Sequence, residues 1–183
     1  MKSLKRKIRS ALLVATVIAL LLVNTGCDST SQLKNNGNVA TSGNLAPAFK
    51  LTDTRGTTYD LSSLRGKKVY IEFWGTWCSV CMANIAEVNN TYIQFSTRKD
   101  IVFLTIASPY ASGEKSPEDL TSWYNSTIYR FPVLLDNNGV IANAYGIRAY
   151  PTSVFINTKG EIVKQSPGAM TTANFTQIIA SIK

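Results

Sequence analysis

Residues 69–81 read VYIEFWGTWCSVC, an apolar run that leads directly into two cysteines, Cys78 and Cys81, separated by two residues. The run predicts a buried strand, and apolar residues at helical spacing after the cysteines predict a helix to about Thr97. A cysteine at the start of a helix lies where backbone N–H groups and the helix dipole stabilise a thiolate. Cys78 is therefore the predicted nucleophile, exposed at the helix N-terminus, and Cys81 is close enough to resolve a mixed disulfide.

The same cysteine spacing occurs in zinc sites, so that class of site has to be considered. The chain has three cysteines and no histidine, and Cys27 is distant from the pair. It therefore lacks the ligands of a Cys₄ site and of every histidine-containing metal site, and it has no histidine base for a nucleophilic triad. A purely structural disulfide, or two idle thiols, is the remaining alternative. We predict no metal and no cofactor beyond a redox-active Cys78–Cys81 disulfide.

The formal net charge of +8 is concentrated at the N-terminus of the 183-residue chain. Five of the 19 basic residues precede residue 10, and no acidic residue precedes Asp28. Beyond residue 26 the chain has 14 basic and 11 acidic residues, scattered without a basic stripe interleaved with aromatic residues. This distribution argues against a nucleic-acid partner.

Residues 1–26 predict a secretory signal, with a basic start and an apolar stretch from Ala11 to Val23 that is short for a membrane span. The ending Asn24-Thr25-Gly26-Cys27 resembles the lipobox of bacterial lipoproteins, in which Cys27 would be lipidated and become the mature N-terminus, although Asn24 departs from that pattern. An uncleaved signal-anchor, or an ordinary signal with a spare cysteine, are the alternatives. Each version places the rest of the chain outside the cytoplasm, where disulfides persist.

Residues 27–45 are rich in Ser, Thr, Asn and Gly, which predicts a flexible tether, and residues 46–183 are the predicted folded domain. Strands and helices alternate along this domain, which predicts an α/β sheet covered by helices on both faces. The predicted order is a hairpin over 49–60, a strand at 69–74, the helix to 97, a strand at 101–107, a helix beginning at 116–117, a strand at 131–135, a short helix at 140–145, a hairpin over 153–165 and a helix at 172–182.

These residues resemble a known family. The run Phe73–Cys81 resembles the thioredoxin active site, and Tyr150-Pro151-Thr152 resembles the cis-proline loop of that superfamily. The segment from Pro47 to Lys67 is similar to the start of the TlpA/ResA-like branch of extracytoplasmic thioredoxins. The resemblance covers residues 46–183 and implies a thioredoxin-like fold: a central mixed β-sheet flanked by helices, with an N-terminal β-hairpin and a central helix–strand insertion at 116–135.

The resemblance also implies a proton carrier. An acid at the position of Glu72 lies beneath the disulfide in thioredoxins and helps to move the proton of the second cysteine, here Cys81. A carboxyl group buried there has a raised pKa, which suits a base that works near neutral pH. The alternative is that Glu72 points to solvent at the edge of the sheet.

A substrate-binding surface is implied in the same way. Pro151 is expected to be cis, so that the backbone of Tyr150 lies opposite Cys78 and pairs with an extended substrate segment. Trp77 is expected to form part of the docking surface, whereas Trp74 packs in or beside the core. A trans proline at the start of a strand is the alternative.

The second half of the domain looks like one group within that branch, namely surface thioredoxin-like proteins that supply electrons to methionine sulfoxide reductases. The segments that carry this likeness are 105–109, 123–124, 131–136, 145–147 and 150–152. It implies an antioxidant disulfide reductase, a monomer held through Cys27 on the extracytoplasmic face of the bacterial cell membrane. A membrane thiol–electron transporter would reduce it, and oxidised protein disulfides, methionine sulfoxide reductase among them, would oxidise it.

Other functions stay open at this stage. Relatives of the TlpA/ResA type also reduce apocytochrome c, and an oxidase or isomerase would run the same chemistry to install disulfides in secreted proteins. A lipoprotein that uses the fold only for binding belongs to a different class. A peroxiredoxin shares the N-terminal hairpin, but its cysteine stands alone after a Pro/Thr pattern that this chain lacks.

Overall fold

The computed structural model describes residues 43–183. The predicted signal segment, Cys27 and most of the predicted tether lie outside the described residues. No helix in the described part of the chain is both long and apolar enough to cross a membrane.

A five-stranded mixed sheet forms the centre of the domain, in the order β5-β4-β3-β6-β7. Its strands are β3 (Lys68–Phe73), β4 (Ile101–Ala107), β5 (Val133–Leu135), β6 (Thr152–Ile156) and β7 (Ile162–Pro167). The central strand β3 runs parallel to β4 and antiparallel to β6, and β5 is parallel to β4. Strand β5 starts two residues later than predicted, since Pro132 has no N–H to donate. The Pro132 carbonyl accepts from both the backbone N–H and the hydroxyl of Thr105, at 3.1 and 2.8 Å.

The predicted N-terminal hairpin is present as β1 (Lys50–Thr52) and β2 (Thr58–Asp60). Asp60 accepts from the backbone N–H of Ser62 and caps a 3₁₀ turn over Leu61–Leu64. The hairpin turn lies against the β5 edge of the sheet, where Thr54 N–H donates to the carbonyl of Val133 at 3.0 Å.

Within residues 43–183, four α-helices cover the sheet: α1 (Ser79–Phe95), α2 (Pro117–Asn125), α3 (Val140–Ala144) and α4 (Thr172–Ser181). Side chains alternate across β3, so that Tyr70 and Trp74 lie in one buried cluster while Ile71 and Phe73 lie in the other. The first cluster includes apolar residues of α1, α2 and α4, and the second includes one buried apolar residue of α3. The predicted α/β architecture, with its helix–strand insertion formed by α2 and β5, is confirmed.

Residues 43–45, at the end of the predicted tether, form backbone contacts with the folded domain. Gly43 N–H donates to the carbonyl of Ile162 at 2.7 Å, and Ile162 N–H donates to Asn44 at 2.9 Å. Leu45 forms an antiparallel bridge with Glu161. The last three residues of the predicted tether therefore lie against the folded domain, bonded through their backbone to residues 161 and 162 at the start of β7.

Candidate active site

Cys78 and Cys81 form a disulfide at the N-terminus of α1, with their Cα atoms 5.2 Å apart. Cys78 is the residue that caps the helix, and its sulfur accepts from the backbone N–H of Cys81 at 3.1 Å. The expectation that Cys78 is exposed is wrong for this oxidised form, because only 6% of the residue is accessible. Its side chain turns inward to reach Cys81 and joins the buried cluster that contains Trp74.

A tight turn after β3 leads into this helix. The carbonyl of Gly75 accepts from Cys78 N–H at 3.2 Å, which leaves Thr76 and Trp77 at the two central positions of the turn. Trp77 is 45% exposed, and its ring packs edge-on against Tyr150 with centroids 5.4 Å apart. A Cβ atom at position 75 would lie 2.5 Å from Trp77 Nε1, so any other residue there would force the Trp77 ring to move.

The Tyr150–Pro151 peptide bond is cis. Thr152 begins β6 directly after it and pairs with Phe73, the last residue of β3. The loop before β6 and the turn after β3 therefore lie at the same edge of the sheet. This arrangement brings half-buried Tyr150 into contact with Trp77, beside the disulfide.

Glu72 lies in the central strand and is 2% exposed, which excludes the solvent-facing alternative. It accepts hydrogen bonds from the hydroxyl groups of Tyr70 and Ser153, the latter at 3.3 Å. Burial raises the pKa of Glu72 to about 7, and the hydrogen bonds from Tyr70 and Ser153 oppose that rise. Tyr70 is in the cluster that includes Cys81, so Glu72, two residues along β3, faces the cysteine side of the sheet.

Tyr70 and Ser153 were missed by reasoning from sequence. The register of β3 and β6 sets Ser153 directly opposite Glu72. Residues two apart on a strand point to the same face, which is a signal that could have suggested Tyr70. The partner on β6 had no such signal, since strand register across 81 residues cannot be read from local pattern.

Glu114 was missed as well. It lies in the loop before α2 and is 8% exposed, and its carboxylate accepts from the backbone N–H and the hydroxyl of Thr76, each at 2.6 Å. The sequence offered no pattern for this contact, because it joins two loops 38 residues apart.

Trp74 packs where it was expected, buried in the core with its indole N–H donating to the Thr105 hydroxyl at 3.0 Å. Tyr124 and Phe131 are also buried, and partly buried Trp123 packs against them. Within residues 43–183, no three His, Cys, Asp or Glu side chains are grouped closely enough to hold a metal ion.

The fold and the cysteine pair define a thiol–disulfide oxidoreductase of the thioredoxin type, and comparison with known proteins places the chain in a family. The Redoxin family matches residues 41–179. The thiol–disulfide oxidoreductase ResA of Geobacillus thermodenitrificans is 30% identical over 179 residues, which cover 97% of this chain and 99% of that protein. ResA of Bacillus subtilis is 35% identical over 70% of this chain and 69% of its own length.

A solved structure gives the same result. The pneumococcal exposed lipoprotein thioredoxin Etrx1 of Streptococcus pneumoniae is 38% identical to this chain, with a TM-score of 0.70. The match covers 74% of this chain and all of that one. The chain belongs to the Redoxin family and is a TlpA/ResA-like extracytoplasmic thioredoxin-like protein, whose redox group is its own cysteine pair.

Proposed function

We propose that this protein is a disulfide reductase that passes electrons from a membrane thiol carrier to oxidised proteins, methionine sulfoxide reductase among them. The observation that carries the proposal is the Cys78–Cys81 disulfide at a helix N-terminus, on the same sheet face as a buried carboxyl group, Glu72, with a pKa of about 7. A structural disulfide has no need of such a group, whereas thiol exchange near neutral pH does.

In the first step, the Cys78 thiolate of the reduced protein attacks one sulfur of the partner's disulfide. A Cys78–partner disulfide forms, the partner's disulfide breaks, and the partner's other sulfur leaves as a thiolate that takes a proton from water. The free N–H groups of the first turn of α1 stabilise the Cys78 thiolate before the attack.

In the second step, Cys81 loses its proton to Glu72, and the resulting thiolate attacks the sulfur of Cys78. The mixed disulfide breaks, the partner's second sulfur leaves as a thiolate, and the Cys78–Cys81 disulfide forms. Two electrons have then passed to the partner. A base with a pKa of about 7 suits this transfer, because it is partly ionised at the pH at which it must accept the proton.

Docking is assigned to the surface beside the disulfide. Trp77 supplies an exposed aromatic ring held against Tyr150. From the resemblance to thioredoxins, we assign the backbone of Tyr150 to pairing with an extended segment of the partner.

The cellular setting is proposed from likeness. Etrx1 is described as an exposed lipoprotein, which supports lipidation of Cys27 and a position on the extracytoplasmic face of the membrane. The sequence likeness of the second half to surface thioredoxins that serve methionine sulfoxide reductases supports that enzyme as the partner.

Trapping tests the proposal directly. Cys81→Ser removes the resolving thiol, so mixed disulfides on Cys78 should accumulate in the cell envelope and run as high-mass bands that disappear on reduction. The double variant Cys78→Ser/Cys81→Ser is the matched control and should trap nothing. Mass spectrometry then identifies the partners.

The identity of the trapped proteins distinguishes between the possible functions. Methionine sulfoxide reductase among the captured proteins supports the proposal, and apocytochrome c in its place would move the client to cytochrome maturation. A broad set of newly secreted proteins would indicate an oxidase or isomerase. No trapped protein at all would contradict the reductase function.

The docking surface gives a second prediction. Trp77→Ala should raise the KM for a protein disulfide such as insulin several-fold, while the rate with a small aromatic disulfide changes less than twofold, because the small substrate needs no docking surface. Ile93→Ala is a matched control, since Ile93 is similarly exposed at 53% on α1. Equal effects of the two substitutions on insulin reduction would exclude Trp77 from docking.

A further inference from the structure

One buried carboxylate tied to the active-site turn has no part in the exchange chemistry described above. Both oxygens of Glu114 are occupied: Oε2 accepts from Thr76 N–H, and Oε1 accepts from the Thr76 hydroxyl and from Lys115 N–H, at 2.6–2.8 Å. Two of these donors are backbone N–H groups, one on each oxygen, so the backbone itself fixes the orientation of the carboxyl group. Glu114 is only 8% exposed, so these hydrogen bonds are formed in a buried position and not at the surface.

This carboxylate holds the turn that positions the nucleophile. Thr76 is the first central residue of the turn closed by the Gly75–Cys78 hydrogen bond. Glu114 Oε2 would lie 3.1 Å from a Cβ atom at position 75, on the side where Trp77 also crowds the backbone. The loop before α2 therefore fixes the backbone from Gly75 to Trp77, directly before Cys78.

The charge of Glu114 has a consequence for the sulfur chemistry. Glu114 is bonded to Thr76, two residues before Cys78 in the sequence, and Cys78 lies at the end of α1 where the helix dipole favours a thiolate. A negative charge near that position disfavours the thiolate. Because the reduced protein contains the thiolate and the disulfide form does not, the charge destabilises the reduced form and makes the couple a stronger electron donor.

We propose that Glu114 is a positioning residue that fixes the Thr76 turn and whose charge biases the Cys78–Cys81 couple toward giving up electrons. This inference rests on the proposed function only for the direction of electron flow. It adds a physical cause for that direction.

Other charged groups near this edge of the sheet do not replace Glu114. Lys115 is exposed, so solvent screens its ammonium group. Glu72 lies on β3 with its hydrogen bonds directed to Tyr70 and Ser153. Asp136 uses its carboxylate on the N–H groups of Ile141 and Ala142 at the start of α3. Among these four charged groups, only Glu114 bonds to the turn before Cys78.

The test measures the equilibrium of the purified domain with reduced and oxidised glutathione, together with the thiolate absorbance of Cys78 at 240 nm in a Cys81→Ser background. Glu114→Gln keeps an oxygen that can accept from Thr76 N–H but removes the charge. It should shift the equilibrium three- to tenfold toward the dithiol and raise the thiolate fraction at pH 7. A tenfold shift corresponds to about 30 mV for this two-electron couple.

Three further variants separate charge from structure. Thr76→Val removes the hydroxyl bond but keeps the charge, so its equilibrium should move less than twofold while exchange slows. Glu118→Gln removes an exposed carboxylate four residues after Glu114 and should change neither the equilibrium with glutathione nor the thiolate fraction. Glu114→Asp keeps the charge but places it on a shorter side chain. Its equilibrium and its thiolate fraction should therefore lie between those of Glu114→Gln and the wild type.

An equilibrium and a thiolate fraction in Glu114→Gln equal to those of the wild type would overturn the inference. So would a shift of the same size in Thr76→Val, because the effect would then come from the turn and not from the charge. Neither measurement involves a cellular partner. A failed trap with Cys81→Ser would therefore contradict the proposed function while leaving this result standing.

Discussion

Replacing Glu72 with glutamine should make the oxidised protein more stable at pH 9 by about 3 kcal/mol, and leave its stability at pH 4 nearly unchanged. Burial raises the pKa of Glu72 from 4.5 to about 7 in the folded protein. A tenfold change in the acid constant between the folded and unfolded states corresponds to about 1.4 kcal/mol. The folded state therefore retains a proton that the unfolded state has lost between these two pKa values, and wild-type stability falls as the pH rises through that window. Glutamine does not ionise, so the stability of the variant does not decrease as the pH rises through this window.

Urea unfolding of both proteins at pH 4, 7 and 9 measures this difference. Glu87 offers a control of opposite sign, since hydrogen bonds from Thr172 lower the pKa of its partly exposed carboxyl. Glu87→Gln should therefore lower stability at neutral pH and have little effect at acidic pH. If Glu72→Gln increased the free energy of unfolding by the same amount at every pH, the cause would be better packing, and the raised pKa would be contradicted.

The same substitution should also slow catalysis. Without a carboxylate to take the proton of Cys81, resolution of the mixed disulfide should slow by about 10²-fold at pH 7, within the usual contribution of a general base. Stopped-flow measurement of the second step across pH 6–8 tests this. An unchanged rate over that range would remove Glu72 from the mechanism.

Replacing Cys78 with serine should abolish disulfide reduction, whereas replacing Cys27 with serine should leave the activity of the solubilised protein unchanged. Cys78 supplies the attacking sulfur, and a serine hydroxyl is not ionised at neutral pH. Insulin reduction with dithiothreitol as the electron source provides the measurement, and we expect the Cys78→Ser rate to fall to the background of dithiothreitol alone.

The Cys27→Ser variant also tests the anchor. In cells it should move from the membrane fraction to the soluble or secreted fraction, because the thiol that we propose to carry the lipid is gone. Retention in the membrane would indicate an uncleaved signal-anchor, and residual activity in Cys78→Ser above background would contradict the assigned nucleophile.

The architecture could be predicted from local pattern. Apolar runs predicted the central strands, Ser116-Pro117 predicted the start of α2, and residues 69–81 predicted the strand, turn and helix that carry the cysteines. These features depend on residues close together in sequence, where periodicity and capping act directly. The loop at Tyr150 and Pro151 came from likeness to a family.

The contacts around the cysteines could not be predicted in the same way. Glu72 was expected to be buried, but its partner Ser153 depends on how β3 and β6 align. The contact between Glu114 and Thr76 depends on how one loop folds over another. The shielding of Cys78 depends on the disulfide itself, which turns the side chain toward the helix. Each of these is a property of tertiary packing, which a single sequence specifies only through the complete fold.

The low accessibility of Cys78 in the disulfide form has a kinetic meaning. Nucleophilic attack on a disulfide requires approach along the sulfur–sulfur axis, and only 6% of Cys78 is open to solvent. Free low-molecular-weight thiols in the surroundings therefore meet a barrier that a protein able to dock beside Trp77 can lower. We therefore expect small thiols to reduce the disulfide form slowly and a carrier protein that docks beside the disulfide to reduce it faster, so that the rate of re-reduction depends on the partner more than on the thiol content of the medium.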